Sequence, residues 1–156
     1  MADTLIIKGF KAEVAKPIMA VSGAVEKKNT IPILANILIR KTGQKVTFTG
    51  SDEQIEVTSD AAIGVGDEDF ATTVSAAKLC GILSTIADDA EVSIFYSDNH
   101  VIIKSGRTKF DLQTIDAEQY PIMKEQMEFQ YSFAMPCMKF KNMLAMVQFA
   151  AAVNYV

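Results

Sequence analysis

A chain of 156 residues with 49% apolar and 22% charged side chains has room for one full hydrophobic core and the start of a second. It holds no apolar run near the ~20 residues a membrane helix needs, and its opening, MADTLIIKGF, lacks the basic start and small-residue cleavage site of a secretory leader. A formal charge of −4 and a pI near 5.0 exclude a domain that grips nucleic acid by net charge alone. The two cysteines, Cys80 and Cys137, form no CxxC motif or Cys/His cluster and read as reduced thiols of a cytoplasmic protein.

Leu5–Lys8 reads as a short strand, after which Phe10, Val14, Ile18, Val21 and Val25 recur at helical spacing. Pro17 lies inside that pattern and is expected to bend the helix or end its regular part early. Ile33–Arg40, apolar on both faces, reads as a central strand; Lys45–Thr49 and Gln54–Ser59 alternate and each present one wet face. Phe70–Val74 is the next strand, Ser75 is a good N-cap, and Leu79, Ile82, Leu83 and Ile86 form one helical stripe. A second three-strand meander follows in Glu91–Tyr96, His100–Ser105 and Thr108–Thr114. Tyr120-Pro121 punctuates its end; Glu128–Phe133 reads as a further strand, and Phe140, Met143, Leu144, Val147 and Ala151 stripe a last helix.

The unit strand, helix, strand, strand, strand thus occurs twice and then begins again, with helices opening near Lys11, Ala76 and Pro136, a recurrence of roughly 60 residues. This predicts an α+β fold of duplicated halves, a first domain over 1–128, and a truncated second domain over 129–156.

No catalytic constellation stands out. His100, the single histidine, borders a turn; Asp52, Glu53 and Glu56 fall on a hairpin turn and a polar strand face; Gly64–Asp69 (GVGDED) lacks the spacing of a calcium loop. The lysines are more informative. Lys8, Lys11, Lys16, Lys27 and Lys28 gather around the first helix against Glu13 and Glu26, Lys78 flanks the second helix, and Lys139 and Lys141 lie on the third. Two readings stand: solvated helix faces, or a basic helical surface that follows phosphates loosely without reading bases. The strand RTKFDLQT is equally open. It is either a sheet edge that invites another chain or an ordinary half-buried strand whose lysines protect the edge.

In order and spacing, VSGAVEKKNTIPILANILI, TGSDEQIEV, VSAAKLCGIL and SGRTKFDLQTIDAEQYP resemble the first domain of the bacterial DNA polymerase III beta subunit family, the sliding clamps. The resemblance implies a DNA-clamp fold with helices on one side and antiparallel sheets on the other. It implies a non-enzymatic processivity factor, without metal or cofactor, that closes head to tail around duplex DNA irrespective of sequence. It places DNA contacts at Lys28, Lys27 and Asn154, and leaves Ala77 where some members carry a basic residue. It places the subunit interface at Lys78, Arg107, Lys109, Phe110 and Leu112. The partner surface falls in a third domain of the second subunit, and the pocket for the replicative polymerase and clamp loader falls beyond the first domain. Two other classes remain in view: a small α+β enzyme or ligand-binding domain framed by its sheets, and an interaction module that never meets nucleic acid.

Overall fold

The computed structural model describes residues 3–25, 31–123 and 131–151. The chain divides into two compact units, Met1–Met123 and Lys124–Val156.

In the first unit β1 (Thr4–Phe10) leads directly into α1 (Lys11–Ser22). A register shift between Leu5 and Ile7 lets both Ile6 and Ile7 turn inward to the core. Phe10 is not part of the helical stripe, as its spacing suggested. It caps the helix with an extended backbone and is 56% exposed, and its N–H donates to the Glu13 carboxylate at 3.1 Å. Nor does Pro17 end the helix, which continues to Ser22 with the proline ring buried beside Val14, Ile18 and Val21. That burial offsets the hydrogen bond that its missing N–H removes.

Pro32–Ala35 forms a 3-10 turn rather than the start of a strand, because proline favours the first turn of a helix and has no N–H for a ladder. Then come β2 (Asn36–Thr42), β3 (Lys45–Ser51) and β4 (Glu56–Ala61). β4 begins two residues later than its apolar pattern indicates: Asp52 Oδ1 accepts from the N–H groups of Gln54 (3.0 Å) and Ile55 (2.8 Å), and Glu53 takes a φ of 71°, so a turn occupies those positions.

The second half repeats the order with β5 (Phe70–Ser75), α2 (Ala76–Thr85), β6 (Glu91–Ser97), β7 (His100–Ser105) and β8 (Thr108–Ile115). Ser75 Oγ accepts from the Lys78 N–H, as the cap reading requires. Asp98 and Asn99, both with positive φ, make the tight β6–β7 hairpin.

The eight strands among the described residues join in the order β1-β6-β7-β8-β5-β2-β3-β4. The halves interlock by exchanging first strands: β1 pairs with β6 of the second half, and β5 pairs along its length with β2 of the first. The two groups of four meet through a short β5–β8 ladder, Thr73 with Ile115 and Val74 with Thr114. Beyond β4 the chain returns to β1, where the Lys8 N–H donates to the Ile63 carbonyl and the Val65 N–H to the Ile6 carbonyl, each at 3.0 Å. The strands therefore curl around α1 and α2, and the main core lies between them, built on Ile7, Val14, Ile18, Ile39, Phe48, Leu79, Leu83, Ile94 and Ile103. On the opposite face Ile33, Leu34, Leu38, Ala117 and Tyr120 form a smaller cluster. This explains why β2 is apolar on both faces.

In the second unit Tyr131–Phe133, expected to close a strand, form none among the described residues, where no neighbouring strand offers them a ladder; 128–130 lie outside those residues. α3 (Cys137–Gln148) is a helix, and its apolar stripe of Phe140, Met143, Leu144 and Val147 is exposed.

Candidate functional site: a helix layer and an open strand edge

The helix layer turns its apolar sides to the sheet and leaves Ala12, Glu13, Lys16, Met19 and Ala20 of α1 and Ala77, Lys78, Gly81, Ser84 and Thr85 of α2 exposed. This is a low surface of mostly small side chains from which Lys16 and Lys78 rise. Neither lysine forms an ion pair among the described residues, whereas Lys8 pairs with Glu91 (3.3 Å) and Lys11 with Asp88. The one carboxylate among these exposed residues, Glu13, accepts the helix-capping hydrogen bond. Of the described lysines near α1, Lys8 and Lys11 are thus ion-paired, and Lys16 there and Lys78 on α2 carry the unpaired positive charge. Lys27, Lys28 and Asn154 lie outside the described residues.

Acidic groups gather elsewhere. On the outer face of β3 and β4, Asp60 takes hydrogen bonds from Lys45 (2.9 Å) and Thr47 (2.7 Å), which hold its carboxyl below the usual range. Asp67, Glu68 and Asp69 follow β4 in an exposed loop.

β8 supplies the second feature. It pairs with β7 from Thr108 to Gln113, but on its other side only Thr114 and Ile115 reach β5. From Thr108 to Gln113 its backbone is therefore an open edge. Along this edge Arg107, in the turn closed by Gly106 (φ 55°), and Lys109 are exposed and form no ion pair among the described residues. Lys109 sits directly across from Lys104, a like-charge arrangement that costs stability unless relieved. Lys104 is relieved in part by Asp3 at 3.3 Å and by the ring of Phe95, 4.3 Å from its ammonium.

Phe110 is half-buried against the core and remains available from the edge, whereas Leu112 is 7% exposed and belongs to the core itself. Leu112 supports the edge from within and has little surface to offer a partner. Beside Phe110 runs an open cleft of about 280 Å³ lined by Thr85, Ile86, Ala90, Ser105, Gly106 and Thr108, where the last turn of α2 meets the start of β8. Lys78 lies on the same helix, about 10 Å along its axis from Thr85 at 1.5 Å per residue. The spacing of chemistry-bearing residues gave no sign of this cleft, because it arises from two elements distant in sequence.

The titratable groups weighed for catalysis have structural partners. His100 Nδ1 contacts the Asp111 carboxylate on the exposed face of the sheet. Asp52 organises its turn, and Glu56 accepts the Met123 N–H at 2.9 Å. Among the described residues no group of three or more His, Cys, Asp or Glu side chains could hold a metal ion, and no helix is long and apolar enough to cross a membrane.

Residues 5–124 match the family described as DNA polymerase III beta subunit, N-terminal domain. The beta sliding clamp of Haemophilus influenzae is 28% identical over 137 residues, 88% of this chain and 37% of that protein. The beta sliding clamp of Pseudomonas putida is 33% identical over 110 residues, 70% of this chain and 30% of that protein. The chain therefore spans about a third of the length of such relatives. Among solved structures, a sliding clamp (DNA polymerase III subunit beta) from Pseudomonas aeruginosa superposes with a TM-score of 0.88 at 27% identity, covering 98% of this chain and 41% of the other. The Caulobacter crescentus sliding clamp does so with a TM-score of 0.73 at 30% identity, covering 79% and 34%.

Proposed function

The chain belongs to the family of the DNA polymerase III beta subunit, N-terminal domain, and we propose that it forms the first domain of a DNA sliding clamp. In this reading the protein is a cytoplasmic processivity factor, not an enzyme. Two subunits close head to tail around duplex DNA and tether the replicative polymerase. The observation that carries the proposal is the division of the surface. Small residues and unpaired lysines cover the helix layer, while the sheet lies on the other side with its ion-paired and hydrogen-bonded carboxylates.

Such a division suits a ring. A helix layer facing the hole meets phosphates through a few lysines, Lys16 here together with the proposed contacts Lys27, Lys28 and Asn154. Few contacts give weak, salt-sensitive attraction that does not pin the protein to one position. Retention then comes from topology, so a net charge of −4 is no obstacle. The open β8 edge, with Arg107, Lys109 and Phe110, is the proposed joint to a second subunit, and Lys78 extends it along α2. Its apolar centre is Phe110 and the cleft beside it, ringed by basic groups that select an acidic counterpart. The counterpart surface belongs to the third domain that the family resemblance implies, and the polymerase and loader contacts to regions beyond residues 1–128.

The deciding experiment compares the lifetime of the assembled protein on a nicked circular plasmid and on the same plasmid cut once. A ring slides off free ends, so residence on the linear form is expected to be much shorter. Equal lifetimes on the two forms would overturn the proposal.

A further inference from the structure

The inward face of β2 reads Ile37, Ile39, Lys41, so a lysine occupies the third position of a core-facing row. Lys41 is only 3% exposed and forms no ion pair among the described residues. Its ammonium instead donates to two backbone carbonyls, those of Gly66 (2.9 Å) and Glu68. A buried ammonium needs compensation, and here it comes from one short segment, Ile63–Asp69.

The same segment joins the two ends of the curled sheet. Its backbone exchanges hydrogen bonds with Ile6 and Lys8 of β1 on one side, and the Gly64 N–H donates to the Gln44 carbonyl (2.9 Å) on the other. Gly64 is fitted closely there: a Cβ would come within 2.6 Å of the Gly43 carbonyl oxygen. Among the described residues β1 has β6 as its only full-length partner, and its other edge is held by this segment alone. Behind the segment lies a cavity of about 470 Å³ lined by Leu5, Ile6, Lys41, Val65, Glu68 and Phe70.

We propose that Ile63–Asp69 is a latch across the open end of the strand curl, fastened by the buried Lys41 ammonium, and that its release frees the outer edge of β1. The latch is a local opening unit: it can undo while the β6–β7–β8 meander stays folded. This inference is independent of the clamp reading, since it concerns only how the domain closes on itself.

Hydrogen exchange on the chain tests it. In Lys41→Met, the Lys8 and Val65 amides, which donate across the seam, are expected to exchange about tenfold faster or more, while amides of the β6–β7 ladder keep their protection. Lys41→Arg restores a donor and is expected to recover part of that protection. Gly64→Ala strains the seam from the other side without touching a charge and should give the same local pattern, so the test survives a Lys41→Met that folds poorly. Unchanged protection at Lys8 and Val65, or uniform acceleration through the β6–β7 ladder in both variants, would overturn the latch.

Discussion

Tyr120 shows how much a single hydroxyl can carry. The residue is 4% exposed in the outer cluster with Leu34 and Leu38, and its hydroxyl has no hydrogen-bond partner among the described residues. Burial pushes the phenol up to about 12; the Ser51 backbone, close enough to favour the phenolate but short of a hydrogen bond of normal geometry, opposes the rise, and the nearby Glu56 carboxylate adds to it. A raised folded-state value means that the fold favours the neutral phenol. That contribution is complete below the ordinary value near 10 and is lost as pH climbs through about 12. Tyr120→Phe keeps the ring and deletes the unpaired group. Its stability at pH 7 is expected to equal the parent's or exceed it by up to ~1 kcal/mol. Between pH 10 and 12 the variant should lose less stability than the parent. Urea titrations across that range read both effects. A loss above ~2 kcal/mol at pH 7 would mean that the Ser51 backbone forms a full hydrogen bond with the hydroxyl.

The elements meet through close backbone approaches, and the tightest is at Gly50 of β3. A Cβ there would fall 2.4 Å from the Val21 carbonyl oxygen near the end of α1, so helix and strand touch with no side chain between them. Gly50→Ala must push α1 outward, and it is expected to cost ~2 kcal/mol or more. Thermal unfolding measures this, and a near-neutral result would show that α1 has room to shift. Gly50 falls just past the strand expected over Lys45–Thr49, and the structure places it inside β3. The same contrast runs through the fold. The order of strands and helices was legible because period and punctuation are local, and Ser75 caps α2 as its type and position dictate. The exchange of first strands was not legible, since β1–β6 and β2–β5 pairing depends on contacts between halves. Lys41 was invisible for a related reason: alternation assigns it to the core face, but only the latch explains why an ammonium is tolerated there. Of the residues proposed for the joint, Arg107, Lys109 and Phe110 stand on an open strand edge, which alternation alone left undecided because edge position depends on β5 pairing elsewhere, while Leu112 belongs to the core.

At the scale of the whole molecule, the open β8 edge places two demands on the same residue. Within the domain, Lys109 across from Lys104 is a repulsive pair. In the proposed ring, Lys109 is one of the basic groups that draw an acidic surface of the second subunit. These roles give opposite signs for one substitution. Lys109→Glu creates an attractive cross-strand pair and should stabilise the isolated chain by ~0.2–1 kcal/mol. In the assembled protein it should place like charges at the joint and weaken self-association, most strongly at low ionic strength, with the difference shrinking as salt screens it. Urea unfolding of the chain reads the first effect, and sedimentation of the assembled protein at low and high salt reads the second. Stability that rises while association falls would mark Lys109 as a residue kept for a partner at the domain's own expense. Unchanged association would remove Lys109 from the joint, and a fall in both would mean that the lysine serves the fold itself.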